Sequence, residues 1–544
     1  MEGPSTQDPD HDQDSWPPGT VWLQELYTNH DEIILQPRPS SDPNDPLNWA
    51  SYRKYLNFGL TCLWALLINE FLCAATPTWS PMHVELGFSW AILNDSYAAG
   101  CGTMAIGAVF LTPLALKFGR RSLYILSALV TFAVSIWSAK MHKTVELMMV
   151  NVLSCFFGAL SEVIVQMTIA DIFYVHQRGL MNAIFIWTVQ VGGSLGPLAA
   201  GYITVSQGWR WVWWWNAILF GACLVLLGFF YEESKFVTVI DEVVVGDEQR
   251  PPNSRKFDEN NLILATQTMN PDQTHLKLDT PPTINPNIPL KPYWQRLTLF
   301  TSSPGDWKIF ARHVYQPFII MGTFPGVTFV ALTYGVMVAL QNSISTTMSS
   351  RMTQPPYNFS ASAIGLMNLP QFVGVTLASL VVGGMSDAWI LRLSHRNRGI
   401  YEPEFRLWVI VPFLPLILAG ALMFGYGIER GLAWPIVAVG IALASAGIAS
   451  INTVVLTYIT DSYTDIVGDA LVGVTFIRNS VSTVFIFSLS PWGSAVGIQN
   501  VILSMACIAT FVLSFIAVFI IWGKKLRAWT TASYEKYSLR QAHV

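Results

Sequence analysis

The sequence predicts an all-α membrane protein in which 12 transmembrane helices form two pseudo-symmetric six-helix halves. Three observations predict it. Of 544 residues 52% are hydrophobic and only 12% charged, and the mean hydropathy is +0.41, so ionisable groups are too few to cover a soluble surface of this size. Apolar runs of about 20 residues, the length that crosses the hydrocarbon core as a helix, recur in two clusters of six. Between the clusters lies one long polar, Pro-rich stretch, "DEQRPPNSRKFDENNLILATQTMNPDQTHLKLDTPPTINPNIPLKPYWQR". A formal net charge of −4, with no basic helix or aromatic-basic platform, excludes a nucleic-acid partner. The six cysteines all fall in apolar runs without CxxC spacing or a nearby His cluster, so they read as small core hydrophobes, not as a disulfide or metal framework.

Residues 1–54 open on "MEGPSTQDPDHDQDSWPPGT", acidic, Pro-rich and without the basic and apolar regions of a signal peptide; they are expected to form a largely disordered cytosolic tail. The first half, 55–231, holds runs at 55–75, 91–113, 122–140, 146–170, 180–203 and 211–231. Helix one contains "LLINEFLCAATPTW", where Glu70 lies roughly 22 Å from the inner end at 1.5 Å per residue. It either attracts a cation or carries a proton, with Asn69 beside it, or it snorkels to the outer surface. Between helices two and three stands "PLALKFGRR", with Lys117, Gly119, Arg120 and Arg121.

Helix four carries "VLSCFFGALSEVIVQMTIADIFY", with Glu162 near its middle. A charge at that depth costs at least about 2.5–3.5 kcal/mol, so it persists only with a partner, with water or by taking a proton. Gln166 lies one turn along the same face and could add a hydrogen bond. Asp171, at the inner end, is expected to be a gate residue or a loop partner of His176 and Arg178. In helix five, "GGSLGPLAAGYI" spaces Gly192, Gly196, Pro197 and Gly201 so that two helix backbones can approach and the proline bends one of them. The tryptophans of "WRWVWWWN" mark the outer boundary of helix six.

Residues 232–313 form a cytosolic central loop. The second half, 314–523, holds runs at 314–340, 362–385, 407–427, 433–459, 469–490 and 499–522, and residues 524–544 form a cytosolic tail. Phe324 and Pro325 interrupt helix seven as a hinge or as a static kink. Asn358-Phe359-Ser360, between helices seven and eight, is a glycosylation acceptor. "GGMSDAWILRLSHRNRGIYEPEFRLW" places Asp387 and a run of bases between helices eight and nine. In helix eleven, Arg478 lies roughly 14 Å from the inner side, against roughly 12 Å for Glu162. The arginine either balances that acid or binds a substrate carboxylate. By helical position Gln190, Tyr334, Gln371, Asn452 and Asn479 complete a central pocket.

Orientation follows from the bases in short loops, which stay on the cytoplasmic side. Arg53 and Lys54, Lys117 to Arg121, Arg178, Arg392 to Arg406, and Lys524 to Arg527 fall on one side. Both termini are therefore expected in the cytosol and Asn358 outside.

Two six-helix halves, the helix-five glycine motif and the basic loop at 113–121 resemble the major facilitator superfamily. "DPNDPLNWASYRK", "IADIFYVHQRG", "RNRGIYEPEFRLW" and "FIRNSVSTVF" are similar to fungal carriers of its drug:proton antiporter group, in the branch of the histidinol and polyamine carriers. The chain departs from the general pattern at Leu116, the usual acidic position, at Thr112 for the leading glycine, and at Asn151, near the place of the helix-four arginine of the proton-coupling motif. The resemblance implies that helices one, four, seven and ten line a central cavity flanked by helix eleven, so that Glu162 can approach Arg478. It implies that Asp387 faces the amino end of helix five and Arg178 as a cytosolic gate, unless it belongs to a solvated loop.

The implied activity is proton-coupled secondary transport of small organic molecules by a monomer, with the proton gradient in place of a cofactor. Export of drugs, toxins or secondary metabolites by antiport across the plasma membrane is the first expectation. Proton-driven uptake of polyamine-like cations and a non-transporting membrane sensor are the alternatives. No GxxxxGK[ST] loop, HExxH or paired-His arrangement occurs, so neither a nucleotide-driven pump nor an enzyme is expected.

Overall fold

The computed structural model describes residues 16–22, 40, 42–235, 289–300, 307–397 and 399–541. Twelve helical stretches among them are long and apolar enough to cross a membrane. Spans one to six are Ser51–Leu86, Trp90–Phe118, Arg120–Lys140, Thr144–Ile172, Met181–Ser206 and Trp209–Phe230. Spans seven to twelve are Pro325–Arg351, Ala361–Arg396, Pro403–Glu429, Trp434–Ser462, Val467–Val496 and Ile498–Trp529. Twelve crossings put Ser51 and Trp529 on the same face of the bundle, which we call the terminal face; the other is the distal face.

Where boundaries differ from those expected, proline chemistry explains the largest differences. The single helix expected at 314–340 is two helices, Trp307–Thr323 and Pro325–Arg351, separated at Phe324, whose backbone is extended at φ −107 and ψ 102. Proline disfavours the helical conformation in the residue before it and has no N–H to offer. The apolar run is continuous through this point, so hydropathy alone conceals the interruption. Span nine likewise opens as a 3-10 helix, Pro403–Phe413, before continuing as Leu414–Glu429. Pro412 and Pro415 remove two amide donors at that junction.

Each half has its own core. In the first, Trp64 meets Tyr124 edge to face at 4.8 Å; in the second, Phe324, Phe424 and Tyr458 are fully buried. The halves touch along spans two and eleven, where Asn94 Nδ2 donates to the Ile486 carbonyl at 2.7 Å and Val109 and Val163 pack with Val472.

The segment 1–54, expected as a largely disordered tail, has described parts with defined partners. Asp45 accepts the Leu47 N–H at 2.9 Å, Lys54 Nζ and the Tyr174 hydroxyl both donate to the Leu47 carbonyl, and Val21–Trp22 pairs antiparallel with Ile400–Tyr401. The expected carboxy-terminal tail contains a helix, Thr531–Gln541. Of the central loop, residues 236–288 lie outside the described part.

Candidate functional site

Span four tightens at Ala159, between the helices Thr144–Gly158 and Leu160–Ile172, where the Glu162 N–H bonds back to the Ala159 carbonyl at 3.2 Å. One turn of 3-10 geometry sits directly ahead of the buried acid. Glu162 reaches across to the other half and forms an ion pair with Arg478 Nη2. Its other oxygen accepts from Asn479 Nδ2 at 3.2 Å. Arg478 Nη1 donates to the Tyr334 hydroxyl at 3.2 Å, and the guanidinium lies 4.9 Å from the centre of the Tyr334 ring. The side chains of Glu162 and Arg478 are 18% and 10% exposed, so both charges are largely removed from water. The approach that the resemblance implied is therefore made, and Tyr334 and Asn479 join it. Gly335 makes room for it: a Cβ there would stand 3.2 Å from Val481 and 3.3 Å from the Arg478 Cα.

Polar groups continue from this pair toward the distal face. Asn342 Nδ2 donates to Ser482 Oγ at 2.9 Å, and the Tyr97 hydroxyl donates to Asn342 at 3.4 Å. Gln341 accepts from Ser445 at 3.1 Å while its own Nε2 is buried without a partner. The sequence reading missed these residues. Helical spacing could have found two of them, since Gln341 follows Tyr334 by two turns and Ser482 follows Arg478 by one. Asn452 is half-buried with an unpartnered Oδ1, as suits a pocket wall. Gln166, Gln190 and Gln371 are half-buried and make no hydrogen bond to the cluster; Gln166, expected to support Glu162, leaves that place to Asn479.

Glu70 occupies a different environment. Asn216 Nδ2 donates to its Oε1 at 3.3 Å, and its Oε2 is buried without a hydrogen bond. Its expected neighbour Asn69 instead donates back to the Ala65 carbonyl. The glycine motif of span five explains the burial: a Cβ on Gly196 would fall 2.7 Å from the Glu70 Cγ, and one on Gly192 only 2.4 Å from the Leu66 carbonyl oxygen. Snorkelling is thereby replaced by close packing within the first half. Beyond Pro197 the same stripe turns to the other half. A Cβ on Gly201 would meet the Ala361 oxygen at 2.5 Å, and one on Gly365 would meet the Pro197 oxygen at 2.8 Å.

At the terminal face lie the described residues expected to gate, with these partners. Asp171 pairs with Arg120 at 3.0 Å, whereas Arg178 donates to the Phe173 and Ala170 carbonyls and closes the end of span four. A guanidinium near the last carbonyls of a helix complements its dipole, which is the local reason Arg178 stays with its own chain segment. The side chains of Asp387 and His176 lie outside the described residues. Gly119, at φ +95, joins spans two and three. The carboxylate of Glu233, a residue missed in the sequence, accepts the Arg120 and Arg121 N–H groups at 2.9 and 3.1 Å. Arg121 donates to the Tyr231 and Gly228 carbonyls at 2.8 and 2.7 Å. Lys235 Nζ donates to the Leu116 and Lys117 carbonyls at 2.5 and 3.0 Å, capping span two. The second half repeats the theme, with Arg406 Nε 2.5 Å from Asp461 and the Tyr401 hydroxyl donating to the same oxygen at 2.6 Å.

Burial pushes the Lys235 ammonium down from 10.5 to about 8, Arg120 adds to the depression, and Glu233 and Asp171 oppose it. Because the folded value lies below the unfolded one, the unfolded chain binds more protons between them, and this group makes stability rise as pH increases from about 8 to about 10.5. Lys235→Met is expected to flatten that part of the profile of thermal stability against pH. An identical slope in the variant would assign the effect to other groups. On the distal side Asn358 is exposed at φ 48.

A family model described as Major Facilitator Superfamily matches residues 74–485. The uncharacterized MFS-type transporter C1271.10c of Schizosaccharomyces pombe is 31% identical, over 92% of this chain and 89% of its own length. The efflux pump radE of Floropilus chiversii is 23% identical, over 94% of this chain and 87% of its own. The xylose transporter XylE of E. coli, in a partially occluded inward open conformation, superposes with a TM-score of 0.54 at 12% identity, over 86% of this chain and 99% of that one. This last likeness concerns the fold.

Proposed function

Since this chain belongs to the Major Facilitator Superfamily, whose members move solutes by rocking two halves about a central site, we propose that it is a proton-coupled exporter of small organic molecules. The observation that carries the reading is the buried ion pair between Glu162 of the first half and Arg478 of the second. Protonating Glu162 removes one partner of the only charge pair described between the halves at that depth. A neutral acid loosens the inter-half contact and gives up its attraction for a cationic substrate, while the guanidinium keeps its hydrogen bond to the Tyr334 hydroxyl. When the site opens to the other compartment, the proton leaves and the pair reforms. Each cycle thus couples one protonation to one exchange of access.

The substrate class that fits is an amphipathic or cationic organic molecule, with aromatic contact from Tyr334 and Tyr97 and amide groups from Asn342, Gln341 and Asn452. Export by antiport is supported by the resemblance to radE, which is an efflux pump. Under this reading the terminal face is cytosolic, the membrane is the plasma membrane, and the bridge of Arg120 and Asp171 with its counterpart of Arg406 and Asp461 steadies the cytosolic ends of the helices.

The test is radiolabelled flux in sealed vesicles of defined orientation with an imposed pH gradient, run over a panel of organic cations and amphipathic neutrals. Uphill movement of at least one compound against the proton gradient, abolished by a protonophore, is the expected result. Binding without gradient-driven flux for every compound would identify a sensor, and accumulation in the direction of proton entry would identify a symporter.

A further inference from the structure

Arg527, at the end of span twelve, is 1% exposed and grips Glu404 with two nitrogens, Nε to Oε1 at 2.8 Å and Nη2 to Oε2 at 2.6 Å. Its third nitrogen, Nη1, is turned toward the amino-terminal segment, where it donates to the Pro18 carbonyl and to Thr20 Oγ1, the latter at 3.1 Å. That segment is shaped for the place. The Thr20 N–H donates to the Pro17 carbonyl at 3.2 Å, and Gly19 at φ +81 follows Pro18 in a turn whose third position requires positive φ. A Cβ on Gly19 would stand 2.5 Å from the Asp461 oxygen and 2.9 Å from the Ser462 Cα, so the glycine also permits close docking. Val21–Trp22 then pairs with Ile400–Tyr401, beside the Tyr401 hydroxyl that holds Asp461.

Every one of these contacts is to the second half. Residues 42–50 of the same segment are held by the first half, through Lys54 and Tyr174 on the Leu47 carbonyl. Residues 16–22 therefore dock on one half while residues 42–50 of the same segment are held by the other. Undocking residues 16–22 would strip both acceptors from one nitrogen of a buried guanidinium, the kind of unmet donor that proteins avoid.

We propose that residues 16–22 are an intramolecular latch: the surface formed by Glu404, Asp461, Arg527 and the strand Ile400–Tyr401 is a docking site for the Pro-Pro-Gly-Thr turn of this chain, and its occupancy sets how readily the two halves exchange. Docking clamps the ends of spans nine, ten and twelve into one unit. Release frees the network of Asp461, Arg406 and Tyr401 to rearrange as the halves rock. The latch uses the rocking of the proposed transport cycle for its effect on flux, but docking itself is independent of what is carried.

Directly opposed residues of an antiparallel pair lie about 4.5–5.5 Å apart at Cα, inside the window for a disulfide. In a Cys507→Ala background, Trp22→Cys with Ile400→Cys is expected to cross-link on mild oxidation in membranes. Spin labels on cysteines at Gln177 of the first half and His395 of the second should then give one narrow distance, and deleting residues 16–22 or introducing Gly19→Val should broaden it. Flux, where a substrate is in hand, should fall several-fold in the cross-linked protein and recover with reductant. Failure to cross-link, or an unchanged distance distribution across cross-linked, wild-type and deleted forms, overturns the latch. Absence of proton-driven flux in the wild type overturns the transport reading alone, because the cross-link and the distances report on docking without any substrate.

Discussion

Glu162→Gln is expected to abolish proton-driven accumulation while leaving exchange of substrate across the membrane partly intact. The glutamine keeps the shape of the side chain and can still meet Asn479, but it cannot bind and release a proton. Without that step the two halves still rock, and substrate equilibrates without being driven. The variant also leaves Arg478, 10% exposed, as a charge without its counterpart, and removing one partner of a buried pair costs about 3–5 kcal/mol. Residual water around Glu162, 18% exposed, softens that figure. The double variant with Arg478→Met restores charge balance and is expected to recover yield and thermal stability while still failing to accumulate substrate. An accumulation ratio equal to wild type at every imposed gradient would remove Glu162 from the coupling step.

Gly201→Val should stop transport by a different route. The added side chain begins with a Cβ placed 2.5 Å from a backbone oxygen of Ala361, where nothing flexible can yield. Gly201 belongs to the first half and Ala361 to the second, so the strain is relieved by separating the halves at the distal face, with neither core unpacked. Overpacking of this kind costs about 1–3 kcal/mol, which shifts a two-state equilibrium by roughly 5- to 150-fold. The expected variant folds, reaches the membrane, and rests with its distal side open. Thiol reagents applied from that side should then label a cysteine introduced at Thr347 faster than the same cysteine without Gly201→Val, and flux should fall roughly 5- to 150-fold by the same arithmetic. Wild-type flux with unchanged labelling would show that spans five and eight do not need this contact to close. Gly196→Val makes a useful contrast, since its clash with Glu70 lies inside one half and should lower stability first.

Glu162 and Arg478 could be placed at similar depth from the sequence because a helix advances a fixed 1.5 Å per residue, while their approach followed from the resemblance, which sets helix eleven beside the central cavity. The helix-five stripe was legible for a related reason: glycine at those spacings has few uses other than close approach. Its two partners were not. Nothing in "GGSLGPLAAGYI" says that Gly192 and Gly196 face span one while Gly201 faces the opposite half. Of the two readings of Asp171, gate residue or loop partner of His176 and Arg178, the pair with Arg120 fits the first, and Arg178 found the carbonyls at the end of its own helix, a choice among several nearby groups that spacing does not decide. Glu233 and Lys235 were invisible as caps, since they lie more than a hundred residues along the chain from the helix ends they satisfy.

By itself the sequence determined the bilayer as solvent, the number of crossings, their grouping into two halves and the depth of each embedded charge. These quantities are set by local hydropathy and by the regular rise of a helix, and they need no knowledge of neighbours. The tertiary structure alone decided which charges meet, which glycines bring which helices together and where residues 16–22 dock. Those outcomes depend on rotation about each helix axis and on contacts between distant segments, because a buried polar group in hydrocarbon can bond only to partners that the packed bundle brings within reach.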